Sequence, residues 1–348
     1  MKQIRIYMLH TSCHDVESML NYLQLTFLKS EFNFLWDESS PDYLITTEQI
    51  YNISKIRNLY NRIHKKVKIT IFYTREAVTP DFNLCDYAVG FDYGLSYDDR
   101  YIQLPTPFEL YPAFLTRRHN EIRSMKEAQN VLAHKSEFCN FLYSNHLAHP
   151  NRDLLFRILS KYKRVDSLGK HLNNVKLSGT GYKGHENDCI AIKAPYKFSI
   201  ASENASFTGY TSEKILTSLA AHTIPIYFGD PMIKEKVNPD CFINCNDLKD
   251  LNDVVKLVKE VDENDELWCK MVSAPWQTKE QEEQSKECRK NYTLFFYKIF
   301  AYEIETVKRL PVGCRPDMYA YQFFHEHIHH KSLLERIYKR LVKSYFKR

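Results

Sequence analysis

At 348 residues the chain exceeds the usual size of a single hydrophobic core, which sets an expectation of two domains of roughly 150 residues each. Hydrophobic residues at 44% and charged residues at 26% exclude a disordered chain, and 24 tyrosines suit a cleft for ligands that are part apolar and part hydroxyl-rich. A net charge of +5, much of it at the C-terminus rather than along a groove, argues against nucleic acid as a partner.

In chain order, short β-branched and aromatic runs alternate with helical patterns. "IRIYML" at 4, "DYLIT" at 42, "VKITIFYT" at 67 and "DYAVGF" at 86 read as strands, with "SMLNYLQLTFL" and "SKIRNLYNRIHKK" as helices between them. That alternation predicts a parallel sheet covered by helices, one Rossmann-like domain over 1–133. A polar, proline-bearing segment from about Leu104 to Lys135 interrupts it, and "EFCNFLYS" at 137 restarts the pattern. In the second domain, 134–312, "NRDLLFRILSKY" is a helix, "YKFSIASE" a strand, "TSEKILTSLAAH" a helix, "TIPIYFG" and "CFIN" strands, and "LKDLNDVVKLVKEV" a helix. Residues 313–348 form a basic helical tail.

Nine cysteines without a CxxC pair read as reduced thiols, Cys241 and Cys245 among them as packing residues, and not as a disulfide framework or zinc ribbon. No run reaches the roughly 18 apolar residues of a membrane span, and the N-terminal apolar core is too short for a signal peptide, so the expected location is the cytoplasm. With only nine glycines, the chain has neither a G-x-G-x-x-G nor a Walker loop. An anionic ligand must then be held by side chains and helix N-termini.

The stretch "ENASFTGYTSEK", residues 203–214, focuses that requirement. The strand before it ends near Asn204 and a helix begins near Thr211, so the loop lies at the carboxyl edge of a parallel sheet, where open α/β folds bind ligands. Lys214 in the first helical turn suits a phosphate oxygen. The same residues also read as a capping box, with Thr211 or a neighbour capping, Glu213 completing it and Lys214 solvated.

The run "YKFSIASENASFTGYTSEKILTSLAAHTIPIYFGDP" resembles the signature of the α1,3/4-fucosyltransferases, glycosyltransferase family 10: Asn after Glu, Tyr-x-Thr-Glu-Lys, then Ile-Pro-Ile-x-x-Gly. Two further blocks look like the bacterial members, "FYTREAVTPDFNLCDYAVGFDY...DDRYIQLP" and "FCNFLYSN...NRDLLFRILSKYKRVDSLGKHLNN". The three together cover roughly 67 to 245. The resemblance implies an α/β fold of GT-B type, two Rossmann-like domains facing a central cleft. It also implies inverting transfer of L-fucose from GDP-fucose to a GlcNAc-type hydroxyl, α1,3 or α1,4, of an oligosaccharide such as a Lewis-type bacterial surface glycan. No cofactor is expected beyond GDP-fucose as donor substrate. With no Asp-x-Asp in the sequence, neutralisation of the diphosphate falls to basic side chains and no metal is expected.

Inverting transfer needs a carboxylate to take the proton of the acceptor hydroxyl and a cation for the departing diphosphate. By the resemblance Glu76 matches the base, although Arg75 stands where glycine is more usual and Ala77 replaces a polar residue. Arg152 and Lys214 match the diphosphate ligands, a role suited to the planar fork of arginine. Glu213 and Asn204 match donor contacts to ribose or fucose, Tyr210 packs near the nucleotide, and Glu203 is placed against the fucosyl ring. Ser212 replaces the usual threonine, and Asp230 stands where serine or alanine is common.

Two other signals need weighing. "HEHIH" at 325–329 fits H-E-x-x-H, the zinc-hydrolase pattern, yet its flanks are polar and basic and no third ligand is evident. His222 reads as a helix end. The tail "KSLLERIYKRLVKSYFKR" repeats apolar pairs every four residues between Lys and Arg, the pattern of an interfacial helix on anionic lipid, or of one docked on its own protein. Peripheral attachment to the inner face of the cytoplasmic membrane is the expectation. The competing functional readings are a transferase of this fold using another nucleotide sugar, and a non-catalytic glycan-binding module.

Overall fold

The structure, a computed structural model, describes residues 1–111, 121–175 and 186–310. The chain divides into two compact units. Among the described residues, the first comprises Met1–Tyr73, Pro80–Ala88 and 299–310, and the second comprises Thr74–Thr79 and those within Val89–Lys298. Of these, 89–111 and 121–133 group with the second unit and the chain returns to the first unit at 299–310, whereas the sequence expectation placed its boundaries at 133 and 312. Phe300 explains the return: its ring meets Phe34 and Tyr43 edge-on at 5.4 and 5.3 Å, filling the first core with an aromatic from far along the sequence. The tail and the "HEHIH" run lie outside the described residues.

In the first unit, β1 (Lys2–Leu9), β2 (Phe32–Trp36), β3 (Tyr43–Thr46) and β4 (Ile69–Tyr73) pair in parallel in the order β2-β1-β3-β4. Helix α1 (Val16–Leu23) starts on a capping box in which Asp15 accepts from the Ser18 N–H and Ser18 returns the bond to the Asp15 N–H. Helix α2 (Ser54–Ile63) buries Ile56 and Ile63. Strand β2, which the sequence reading left out, buries Phe32 and Phe34 and exposes Asn33 and Leu35 between and beyond them. Asp86, fully buried, accepts the Thr70 N–H at 2.8 Å and the N–H groups of Arg309 and Leu310 at 2.8 and 2.7 Å, tying the last described residues to β4.

Strand β5 (Tyr87–Gly90) leads into the second unit, where β6 (Tyr101–Gln103) and α3 (Met125–Leu132) precede the second sheet. That sheet consists of β7 (Glu137–Phe141), β8 (Val165–Ser167), β9 (Tyr196–Ser202), β10 (Ile224–Phe228) and β11 (Ile243–Asn244). All pairs are parallel and the order is β11-β10-β9-β7-β8. Its helices are α4 (Pro150–Tyr162), α5 (Glu186–Lys193), α6 (Glu213–Ala220), α7 (Leu251–Asp262), α8 (Asp265–Ser273) and the long α9 (Lys279–Ala301). Alternate residues of the central strands face opposite cores, as a two-residue repeat demands. Ile224 and Ile226 join Phe141, Phe198 and Trp268 on one face, while Tyr227 joins Ile215, Leu216 and Trp276 on the other. Burial of each such side chain contributes about 1.5–3 kcal/mol. The two Rossmann-like parallel sheets expected from the sequence are both present.

Candidate functional site

In the second sheet the strand order reverses between β7 and β9, since β8 lies on one side of β7 and β9 to β11 on the other. Open α/β sheets bind ligands beyond the carboxyl ends of the strands at such a reversal. The loop after β7 enters α4, which carries Arg152, and the loop after β9 carries Glu203, Asn204 and Tyr210 before α6 presents Glu213 and Lys214. The His149 N–H, at the cap of α4, donates to the Asn204 carbonyl at 2.8 Å and ties the two loops together.

Arg152 occupies the buried stripe of α4 with Leu155 and Leu159 and is itself 0% exposed. Its Nη2 donates to the Asn145 carbonyl at 2.8 Å, its Nε reaches Asp153 Oδ1 at 3.3 Å, and its guanidinium lies 4.7 Å over the Tyr143 ring. Nη1 is buried with no hydrogen-bond partner. A buried cationic donor left unpaired is costly, and a ligand oxygen would relieve that cost.

Glu203 follows β9 and is fully buried. Its carboxylate accepts the Ser212 N–H at 2.8 Å and the Ser212 hydroxyl at 2.7 Å, and Lys214 Nζ stands 3.2 Å away. Burial pushes its carboxyl pKa up, against the pull of Lys214 and the Ser212 bonds. Lys214 also lies 3.7 Å from Glu213 and 2.8 Å from the Ser212 hydroxyl; although burial works to lower it, Glu203 and Glu213 hold its ammonium pKa well above the usual value. Burial would raise Glu213, yet Lys214 holds its carboxyl below the usual range. Tyr143 joins the two clusters: its hydroxyl accepts the Ser202 N–H at 2.7 Å under the Arg152 guanidinium, and burial pushes its pKa up in the field of Lys214. Gly229 lets Glu203 pass, because a Cβ there would sit 2.5 Å from Glu203 Cγ.

Behind α6, buried Lys193 donates to Thr217 Oγ1 at 2.8 Å and Ser218 Oγ at 3.0 Å, and Ser218 and Ser199 carry the chain of hydroxyls to Asn140. Burial lowers the Lys193 ammonium to about 8.

Glu76 lies exposed in the segment after β4, with its N–H on the Thr74 hydroxyl at 3.1 Å. The buried Tyr210 hydroxyl donates to Glu76 Oε2 at 3.2 Å, so the structure brings Glu76 to the residue 134 positions away in the "GYTSEK" stretch. Arg75, flagged by the sequence, places its guanidinium 5.6 Å over the Tyr111 ring.

The predicted residues thus form one group at the strand reversal, with Glu76 joined through Tyr210. Glu203, expected against a sugar ring, is wholly buried and bonded to Ser212 and Lys214 at the start of α6. The capping box of the alternative reading is not formed. The cap is Ser212, one residue past Thr211, and its own side chain makes no cap bond; the hydroxyl is turned to Glu203 instead. His222 follows the end of α6 in the left-handed region, φ 52°, consistent with a helix end. Among the described residues no cluster of three or more His, Cys, Asp or Glu is placed to hold a metal ion, and Cys241 and Cys245 are buried free thiols. Sequence reasoning missed Tyr143 and Lys193. Only the aromatic just past a strand end hinted at the first.

Known proteins resemble the chain in sequence and in fold. The family model described as "Glycosyltransferase family 10 (fucosyltransferase) C-term" matches residues 132–302, and "Alpha-(1,3)-fucosyltransferase FucT N-terminal domain" matches 12–111, together well over half of the chain. The alpha-(1,3)-fucosyltransferase FucT of Helicobacter pylori is 29% identical over 216 residues, 54% of this chain and 43% of that protein. Alpha-(1,3)-fucosyltransferase B of Drosophila melanogaster is 31% identical over 134 residues, 37% of this chain and 30% of that protein. The chain spans less than half the length of these curated relatives. A crystal structure of an alpha1,3-fucosyltransferase with GDP-fucose superposes with a TM-score of 0.64 at 23% identity, covering 87% of this chain and 92% of that one, which establishes a shared fold.

Proposed function

From the premise that this chain belongs to glycosyltransferase family 10, the fucosyltransferases, we propose that it transfers L-fucose from GDP-fucose, with inversion, to a hydroxyl of an oligosaccharide. The observation that carries the reading is the reversal point of the second sheet. There Arg152 keeps a buried N–H unspent over the Tyr143 ring, and Lys214 stands in the first turn of the helix that follows β9. Two cations held at a fixed place stabilise a departing diphosphate without reorganising at the moment of reaction. Glu213 and Asn204 supply an acceptor and an amide for sugar hydroxyls, and Tyr210 gives the nucleotide an apolar face.

Glu76 acts as the base. As the acceptor oxygen forms its bond to the anomeric carbon, its proton passes to the Glu76 carboxylate, and the bond from that carbon to the phosphate oxygen breaks, leaving GDP. The acceptor is a GlcNAc-type residue of a Lewis-type bacterial surface glycan, linked α1,3 or α1,4, and the basic tail holds the enzyme on an anionic membrane face, the cytoplasmic side of the inner membrane. These finer statements rest on the sequence resemblance and on the residue types.

Calorimetric titration with GDP-fucose and GDP-mannose tests the donor, with preference for GDP-fucose expected and indifference overturning it. Glu76→Gln is expected to lower transfer by about 10²–10⁴-fold with donor affinity retained. Unchanged transfer would remove Glu76 from the chemistry.

A further inference from the structure

We propose that the buried ion pair Asp230–Lys236 is a positioning pair for the reaction, holding the turn that aims the Tyr210 hydroxyl at Glu76; this rests on the reading of Glu76 as the base. Asp230 is 0% and Lys236 4% exposed. Asp230 Oδ1 accepts the Gly209 N–H at 2.8 Å, and Oδ2 accepts the Thr211 hydroxyl at 2.9 Å and Lys236 Nζ at 2.8 Å. Lys236 Nζ returns to the same loop, donating to the Gly209 carbonyl at 2.5 Å with Thr211 Oγ1 at 3.2 Å, and lies 4.6 Å over the Tyr93 ring. One pair therefore grips the residues on both sides of Tyr210.

The turn it grips is tight. The Tyr210 N–H donates to the Phe207 carbonyl at 3.0 Å, and Gly209 stands at φ +93°, where a Cβ would run into the Phe91 carbonyl. The Tyr210 ring packs 5.0 Å from Phe91, and its hydroxyl reaches Glu76 Oε2 at 3.2 Å. Glu76 is exposed, so without that bond its side chain would sample several rotamers and lose entropy on reaching any one. Tyr210 occupies one carboxylate oxygen and leaves the other for the acceptor proton. A buried ion pair is weak support for stability, because apolar replacement of both partners is often neutral. Its hydrogen bonds to the Tyr210 turn are what give this one a use. Asp230, in a position where the resemblance leads one to expect serine or alanine, makes the device a property of this chain.

The test is a mutant cycle on the full chain with GDP-fucose and a disaccharide acceptor. Asp230→Ala with Lys236→Met removes both charges together; Tyr210→Phe removes only the hydroxyl. Each is expected to lower kcat about tenfold, and the triple variant to lose no more than either. Loss of about a hundredfold in the triple variant, or full kcat in the double variant, overturns the proposal. Thermal melting checks folding. If the apolar double variant does not fold, Asp230→Ser with Lys236→Gln, which keeps polar atoms in the space but withdraws the carboxylate from the Gly209 N–H and the Thr211 hydroxyl, takes its place in the cycle under the same two criteria. Glu76→Gln separates the two readings: if it stays fully active the base assignment falls, whereas additive losses beside an inactive Glu76→Gln sink the positioning pair alone.

Discussion

The two sheets share a local strand order but not the chemistry at its reversal. In the first unit the reversal falls between β1 and β3, and the loops there are joined by neutral groups: the Thr11 N–H donates to Gln49 Oε1 at 2.9 Å and the Thr47 hydroxyl to the Leu9 carbonyl at 3.3 Å. In the second unit the corresponding place, between β7 and β9, holds Arg152, Glu203, Glu213 and Lys214, two of them wholly buried. The same topology thus designates a place in both units, while only one invests buried charge in it. Burying charge costs free energy unless it is paired, and a reserved donor such as Arg152 Nη1 is what a charged ligand can pair.

Three substitutions sharpen that contrast. Glu203→Ala is expected to have the largest effect, about 3–5 kcal/mol of stability, because it strips Lys214 of a buried partner. A fall in the urea midpoint measures it, and a change below about 1 kcal/mol would return Glu203 to the role of a replaceable contact. Arg152→Lys keeps the charge but loses the planar fork, and kcat/KM for the donor should drop about ten- to a hundredfold. Gln49→Ala in the first unit, by comparison, should leave donor affinity unchanged, and a similar loss there would erase the distinction between the two reversals. The smallest change expected in stability concerns pH. Burial lowers Lys193 to about 8 from a usual 10.5, so between those values the unfolded chain binds more protons and stability rises with pH. Urea midpoints at pH 7.5 and 10 should show a shallower rise in Lys193→Met than in the parent; Lys135, lowered to about 7 by burial, contributes to both.

Much of this was legible in the residues. The alternation of strands and helices announced two parallel sheets, since period-two and helical apolar patterns are local properties, and "SENASFTGYTSEK" was marked as the candidate site because its polar groups lie between a strand and a helix and the run resembles the fucosyltransferase signature. Arg152 was visible as an arginine near a helix start, yet its burial was not, because a cation on the stripe of Leu155 and Leu159 reads the same whether solvated or enclosed. Strand β8, only three residues long, left no pattern to detect.

What the sequence alone determined is therefore the kind of fold, the family and the list of residues with suitable chemistry, all of which depend on patterns between near neighbours along the chain. Tertiary structure decided the rest: that Phe300 completes the first core, that Glu203 caps α6 from nine residues before Ser212, and that Tyr210 meets Glu76. The physical reason is that burial and hydrogen-bond partners are properties of the packed chain, set by contacts whose sequence separation no local periodicity encodes.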